Sequence, residues 1–310
     1  MGKIAFLFPG QGSQFAGMGK LLADEYPVAR QTFQEADDTL GISLSRLCFE
    51  GPENELKKTE NTQPALLATS VAALRVLIEP GYHADCVAGH SLGEYSALVA
   101  AGSISFVDAL RLVRKRGAYM QEAVPVGVGA MAALLKLPEE KLDLILQEAA
   151  QGEVVSAANL NSPDQVVIAG HAGAVQRAMA AATAAGARRA VLLAVSAPFH
   201  CPLMKPALDR LKPDLNATLF SDLKVPLIRN WKADAVETAD QAREGLYQQI
   251  PNPVRWTESI RKVVSLGVDR FVEVGAGSVL SGLCRQIDPS LKGARFGEPA
   301  DFVKLREVLG

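Results

Sequence analysis

The sequence predicts an α/β fold on a parallel sheet, with a smaller β-α-β-β-α-β unit inserted into it. Three observations carry this. Over residues 4–123, short apolar runs alternate with longer helical patterns, as in a parallel sheet covered by helices. After Pro125-Val126-Gly127-Val128-Gly129 the order becomes strand, helix, strand, strand, helix, strand, which is ferredoxin-like. From residue 197 onward the first pattern resumes.

The elements follow in order. Ile4 to Phe8 is an apolar strand stopped by Pro9-Gly10. Tyr26 to Leu40 and Gln63 to Ile78 have helical spacing, Cys86-Val87-Ala88 reads as a buried strand, and Leu92 to Ala101 is a helix closed by Gly102. Phe106 to Ala123 is a long amphipathic helix. In the insertion, strands are expected at Met131–Leu135, Val154–Ala158, Gln165–Ala169 and Arg189–Val195, with residues 159–164 as a connection. Its helices are Pro138–Ala150, with Pro near the start, and Ala172–Ala185, ended by Gly186. Helices Pro206–Leu219 and Pro253–Leu266, strands Leu227–Asn230 and Arg270–Val274, and a helix near Ala300–Leu309 complete the chain. This divides it into a discontinuous larger domain, 1–125 with 197–310, and a subdomain, 126–196.

Composition bounds the function. The chain has 310 residues, 48% hydrophobic and 21% charged, enough for a sizeable core. A net charge of -2 gives no argument for nucleic acid or a membrane surface. No apolar run is long enough to span a bilayer, and Met1-Gly2-Lys3-Ile4 leads straight into a strand rather than a signal peptide. Cys48, Cys86, Cys201 and Cys284 are scattered without metal-ligand spacing, as expected for reduced thiols in the cytoplasm.

Gly89-His90-Ser91-Leu92-Gly93 is a G-x-S-x-G pattern between a strand and a helix, the setting of a nucleophile elbow. There the serine hydroxyl projects from the backbone, and the helix N-terminus offers N–H groups to a developing oxyanion. By itself the pattern fits a helix-capping serine equally well. A nucleophilic serine needs a base. His83 and His171 lie in turns and read as surface residues; His90 adjoins Ser91 but should point elsewhere. His200 sits at the exit from the insertion, and a loop at a domain junction is a common place for a catalytic residue. No acid stands out as a third member; Asp269 and Glu273 carry no specific signal. A dyad suffices for a thioester, whose thiol leaving group has a pKa of roughly 8.5, with a backbone carbonyl orienting the imidazole.

Gly10-Gln11-Gly12-Ser13-Gln14 follows the first strand, so its turn can lie beside the Ser91 turn at the carboxyl end of the sheet. The Gln11 N–H is then a second oxyanion donor. A dinucleotide fingerprint is rejected, since Phe15 replaces the third glycine and Gly275-x-Gly277 fails at Leu280. Arg114-Lys115-Arg116 lies on a helix. A solvated face is the commoner reading, but Gly117 opens space beside Arg116, whose guanidinium can grip a carboxylate.

Together these motifs resemble the malonyl-CoA:acyl carrier protein transacylases of type II fatty-acid synthesis and the related acyltransferase domains of polyketide synthases. The matching segments are Gly10–Gln14, Gly89–Glu94, Arg116-Gly117 with Met120-Gln121, Asn159-Leu160-Asn161, Ser196-Ala197-Pro198-Phe199-His200, and Gln249 with Pro253-Val254-Arg255-Trp256. They run in the family's order across essentially the whole chain, whose ends suit a free-standing enzyme. The resemblance implies an α/β-hydrolase-like core with a ferredoxin-like insertion. It implies Ser91 as nucleophile, His200 as base, and the N–H groups of Gln11 and Leu92 as oxyanion hole. Arg116 would bind the malonyl carboxylate, the Gln249 carbonyl would orient His200, and His90 and Asn161 would line the site. Phe199 would pack near the acyl α-carbon and exclude a methyl branch. The implied substrates are malonyl-CoA and the phosphopantetheine arm of acyl carrier protein, with no metal or bound cofactor. Lys205, Arg210 or Arg188 would receive the acidic carrier protein. A trans-acting polyketide synthase acyltransferase, a serine thioesterase or hydrolase, and a non-catalytic carrier-binding module are the competing readings.

Overall fold

Alternation along the first strand, β1 (Lys3–Phe8), organises the core: Phe6 and Phe8 face one hydrophobic cluster, Ala5 and Leu7 the other. A computed structural model of the chain describes residues 2–195 and 197–310, so Met1 and Ser196 lie outside the described residues. After β1 come helices α1 (Lys20–Glu25), α2 (Pro27–Leu40), α3 (Leu44–Glu50), α4 (Glu53–Leu56) and α5 (Thr59–Ile78). Then follow β2 (Cys86–Gly89), α6 (Gly93–Ala100) and α7 (Phe106–Glu122). The second sheet comprises β3 (Gly129–Leu135), β4 (Val155–Ser162), β5 (Gln165–His171) and β6 (Arg189–Leu192), with α8 (Leu142–Ala150) and α9 (Ala172–Ala184). The rest is α10 (Lys205–Ala217), β7 (Leu227–Ile228), β8 (Ala235–Val236), α11 (Ala239–Gln249), α12 (Trp256–Ser265), β9 (Val268–Val274), α13 (Val279–Ile287), β10 (Lys292–Phe296) and α14 (Asp301–Leu309).

The main sheet runs β10-β9-β1-β2-β7-β8, parallel from β10 to β7, with β8 antiparallel to β7. The second sheet is antiparallel, ordered β4-β5-β3-β6, and its own core includes Leu134, Ile145, Ile168 and Val175. The fold is thus mixed α/β with a parallel core sheet, as the sequence predicts.

Five local expectations are corrected. α5 begins at Thr59 rather than Gln63 and runs through Pro64. Pro64 has no N–H, which leaves the Glu60 carbonyl without its helical donor; Arg114 Nη1 supplies one at 2.8 Å. Arg114 is therefore half-buried rather than a solvated surface charge. β4 extends to Ser162, leaving only Pro163-Asp164 as the turn. Its irregular register between Ala157 and Asn159 and again between Leu160 and Ser162 hides the alternation. His171 is half-buried, its Nδ1 accepting from the Val154 N–H at 2.9 Å. Gly117 does not open a space: a Cβ there would come within 2.7 Å of Thr59 O and Glu60 Cα, so its missing side chain lets α7 and α5 touch.

Candidate active site

The elbow joins β2 to α6. A Cβ on Gly89 would sit 1.9 Å from the Gly93 carbonyl, and one on Gly93 would sit 2.0 Å from Phe8 O. The two glycines therefore supply space, while the left-handed conformation falls on Ser91, at φ 51°. That strain, which for a non-glycine residue needs support from its surroundings, is held by Asn230. Its Oδ1 accepts the Ser91 N–H at 2.7 Å and its Nδ2 donates to Gly89 O at 2.7 Å. The Gly10 turn packs directly against the elbow; a Cβ at Gly10 would lie 2.3 Å from His90 O.

His200 meets Ser91 across the cleft, also with left-handed backbone, at φ 57°. Its Nε2 is 2.7 Å from Ser91 Oγ and its Nδ1 is 2.8 Å from Gln249 O. A carbonyl only accepts, so Nδ1 carries the proton and Nε2 is left to accept from the serine hydroxyl. Burial, reinforced by the nearby Arg116 charge, pulls the His200 pKa down to about 3. The imidazole is neutral and ready to take a proton. Asp269 and Glu273 play no part here: Asp269 pairs with Arg270, and Glu273 accepts from the first turn of α13.

Arg116 is 2% exposed. Nη1 donates to Gln63 Oε1 at 2.7 Å, and Nη2 donates to Gln249 Oε1 at 2.7 Å and Ser91 Oγ at 3.1 Å. The face of Tyr95 lies 5.5 Å away. Burial lowers its pKa, but a guanidinium stays charged. Among the described residues no carboxylate pairs with it directly, although a buried charge ordinarily has such a partner.

A cavity of about 120 Å³ opens at this point, lined by Gln11, Ser91, Leu92, Arg116, Phe199 and His200 among others. His90 lies on its wall, stacked obliquely on Trp256 with 5.5 Å between ring centroids. His90 Nε2 is 2.8 Å from Asn161 Oδ1. Asn161 itself does not border the cavity; Asn159 does, so Asn161 reaches the site only through His90. Gln63 and Asn230 escaped the sequence reading, and Asn159 entered it only within a matched segment, without a role. Nothing marks such amides in a linear sequence, because the fold brings α5, β4 and the end of β7 together. Among the described residues no cluster of three His, Cys, Asp or Glu side chains suits a metal. Of the expected docking cations, Lys205 pairs with Asp209, Arg210 with Glu122, and Arg188 is exposed.

Known proteins match this chain along nearly its whole length. A family model described as an acyl transferase domain matches residues 5–294. The malonyl CoA-acyl carrier protein transacylase of Bacillus subtilis (strain 168) is 51% identical over 300 residues, covering 96% of this chain and 95% of that protein. An acyl carrier protein S-malonyltransferase from Vibrio cholerae superposes with a TM-score of 0.96 at 46% identity, covering 98% and 99% of the two chains. A malonyl-transacylase solved in complex with its type II PKS acyl-carrier protein gives a TM-score of 0.96 at 49% identity, again covering 98% and 99%. Matched along nearly its whole length, this chain is an acyltransferase and belongs to the malonyl CoA-acyl carrier protein transacylase family.

Proposed function

We propose that the chain moves a malonyl group from malonyl-CoA to the phosphopantetheine thiol of an acyl carrier protein, through an ester on Ser91. The observation that carries this reading is Arg116: a buried cation at the nucleophile, without a carboxylate of its own, matches an acyl group that ends in one. Ser91 Oγ attacks the thioester carbonyl as its proton passes to His200 Nε2. The N–H groups of Gln11 and Leu92 receive the oxyanion. The C–S bond breaks, CoA leaves with the proton from His200, and malonyl-Ser91 remains. The carrier thiol then gives its proton to His200 and attacks the ester, and Ser91 recovers a proton as it leaves. The thioester is already activated, so the reaction as written needs no metal or bound cofactor. Residues 126–196 act as a subdomain walling the cavity, through Met131, Asn159, Leu193 and Val195. The product serves chain elongation in fatty-acid or polyketide synthesis. Four buried free thiols suit a cytoplasmic setting, and no helix among the described residues is long and apolar enough to cross a membrane.

Intact mass after brief mixing with malonyl-CoA tests the reading. Wild-type chain should gain one malonyl group and lose it to carrier protein faster than to water; faster loss to water would indicate a hydrolase. Ser91→Ala should abolish adduct and transfer, and His200→Ala should slow acylation about 10²–10⁴-fold. Undiminished transfer by the Ser91→Ala protein would reject the nucleophile.

A further inference from the structure

The motif serine is followed three residues later by Glu94, a completely buried carboxylate that does not border the cavity. Its bonding is concentrated in one oxygen. Oε2 accepts from the Asn230 backbone N–H at 3.0 Å and from Gln249 Nε2 at 2.9 Å. The other oxygen, Oε1, has no hydrogen-bond partner among the described residues and faces Gly245 on α11, where a Cβ would come within 3.1 Å.

Both of those donors hold the reacting pair. Asn230 ties down the Ser91 N–H and the Gly89 carbonyl. Gln249 donates to Ser91 O at 3.0 Å through the same Nε2, accepts from Arg116 through Oε1, and holds His200 through its main-chain carbonyl. Its side chain cannot turn end for end without pointing an NH2 group at Arg116. Glu94 Oε2, which can only accept when ionised, fixes which way that amide faces. Burial pushes the Glu94 carboxyl up to about 7, against the pull of its hydrogen bonds to Gln249 and Asn230 and of the charges of Arg229 and Arg116. A buried group of this cost is poorly explained by packing alone.

We propose that Glu94 is a positioning residue for acyl transfer: one oxygen sets Asn230 and Gln249, and through them the Ser91 elbow and the His200 imidazole. The acid absent from the imidazole is thus present behind the elbow, acting through two amides. This rests on the assignment of Ser91 and His200 as nucleophile and base.

The test uses two isosteric variants and a probe that bypasses malonyl recognition. Ser91 is modified with a small fluorophosphonate, and the rate is followed by mass in wild type, Glu94→Gln and Glu94→Met. Glutamine keeps an oxygen for both donors; methionine fills the same volume without an acceptor. Modification of E94Q should stay within about tenfold of wild type, because each neutral hydrogen bond loses only part of its strength. E94M should be slower by about 10²-fold, the size of effect that an ångström of misplacement produces. Equal rates for the two variants would overturn the proposal, since packing or charge alone would then explain Glu94. If E94M does not fold, E94Q decides: a loss beyond about tenfold overturns the proposal. Wild-type chain unlabelled at Ser91 would overturn the nucleophile assignment and this inference with it.

Discussion

Arg116→Ala offers the sharpest separation of substrate recognition from catalysis. In the proposed complex the malonyl carboxylate supplies the partner that the buried guanidinium lacks. Removing one member of a buried, hydrogen-bonded charge pair costs about 3–5 kcal/mol. At about 1.36 kcal/mol per factor of ten, kcat/KM for malonyl-CoA should fall by about 10²–10⁴. Acetyl-CoA has no carboxylate to lose. It suffers only from the missing Nη2 hydrogen bonds to Ser91 Oγ and Gln249 Oε1, an effect of about tenfold at roughly 1.5 kcal/mol. The malonyl-to-acetyl ratio should therefore drop by at least about tenfold. Arg116→Lys should recover only part of the loss, since an ammonium cannot span the Gln63 and Gln249 oxygens as a planar fork. The assay is single-turnover acylation of Ser91 by each CoA ester, read by intact mass. Equal proportional losses for both esters would show that Arg116 only braces the elbow.

Three further outcomes are expected. Phe199 is buried on the cavity wall, so wild type should load malonyl in strong preference to methylmalonyl, and Phe199→Ser should narrow the gap mainly by slowing malonyl transfer; equal loading of both esters by wild type would refute this. His200 is neutral in the fold well below its ordinary pKa of 6.5, so Ser91 acylation in the Glu94→Gln chain, where the carboxyl held near 7 is gone, should show no inflection near 6.5, and a half-fall there would contradict the burial argument. The unfolded chain accepts a proton that folded His200 refuses, so stability is lost as pH falls from 6.5 toward about 3. His200→Gln should flatten that part of the urea-midpoint profile against pH.

What was legible in the sequence depended on locality. The Ser91 elbow, the Gly10 turn and the long helix bearing Arg116 are each written in a few adjacent residues. α13 is hard to read from sequence although Val279, Leu280, Leu283, Cys284 and Ile287 keep helical spacing, because the Gly275-Ala276-Gly277 run before it resembles a nucleotide-binding turn. β10 was missed because it is a short edge strand whose Lys292 and Arg295 interrupt the apolar pattern. The strand expected to reach Asn230 stops at Ile228. Asn230 leaves the sheet to brace the elbow, and neither this nor the Glu94–Gln249 bond can be inferred from neighbours in the chain.

A backbone contact ties β4 to the connection between α11 and α12, and it has a mechanical consequence. Leu160 N–H donates to Val254 O, and Val254 N–H donates to Ala158 O, both at 2.9 Å. Val254 is five residues beyond Gln249, whose carbonyl holds the imidazole. The β4 margin of the small sheet is thus riveted to the strap that aligns the base, whereas β6 forms the opposite, exposed margin and runs into Leu193 and Val195 on the cavity wall. A swing that parted β4 from the core would tug on the strap and spoil the alignment; a swing about β4, with β6 travelling, leaves it undisturbed.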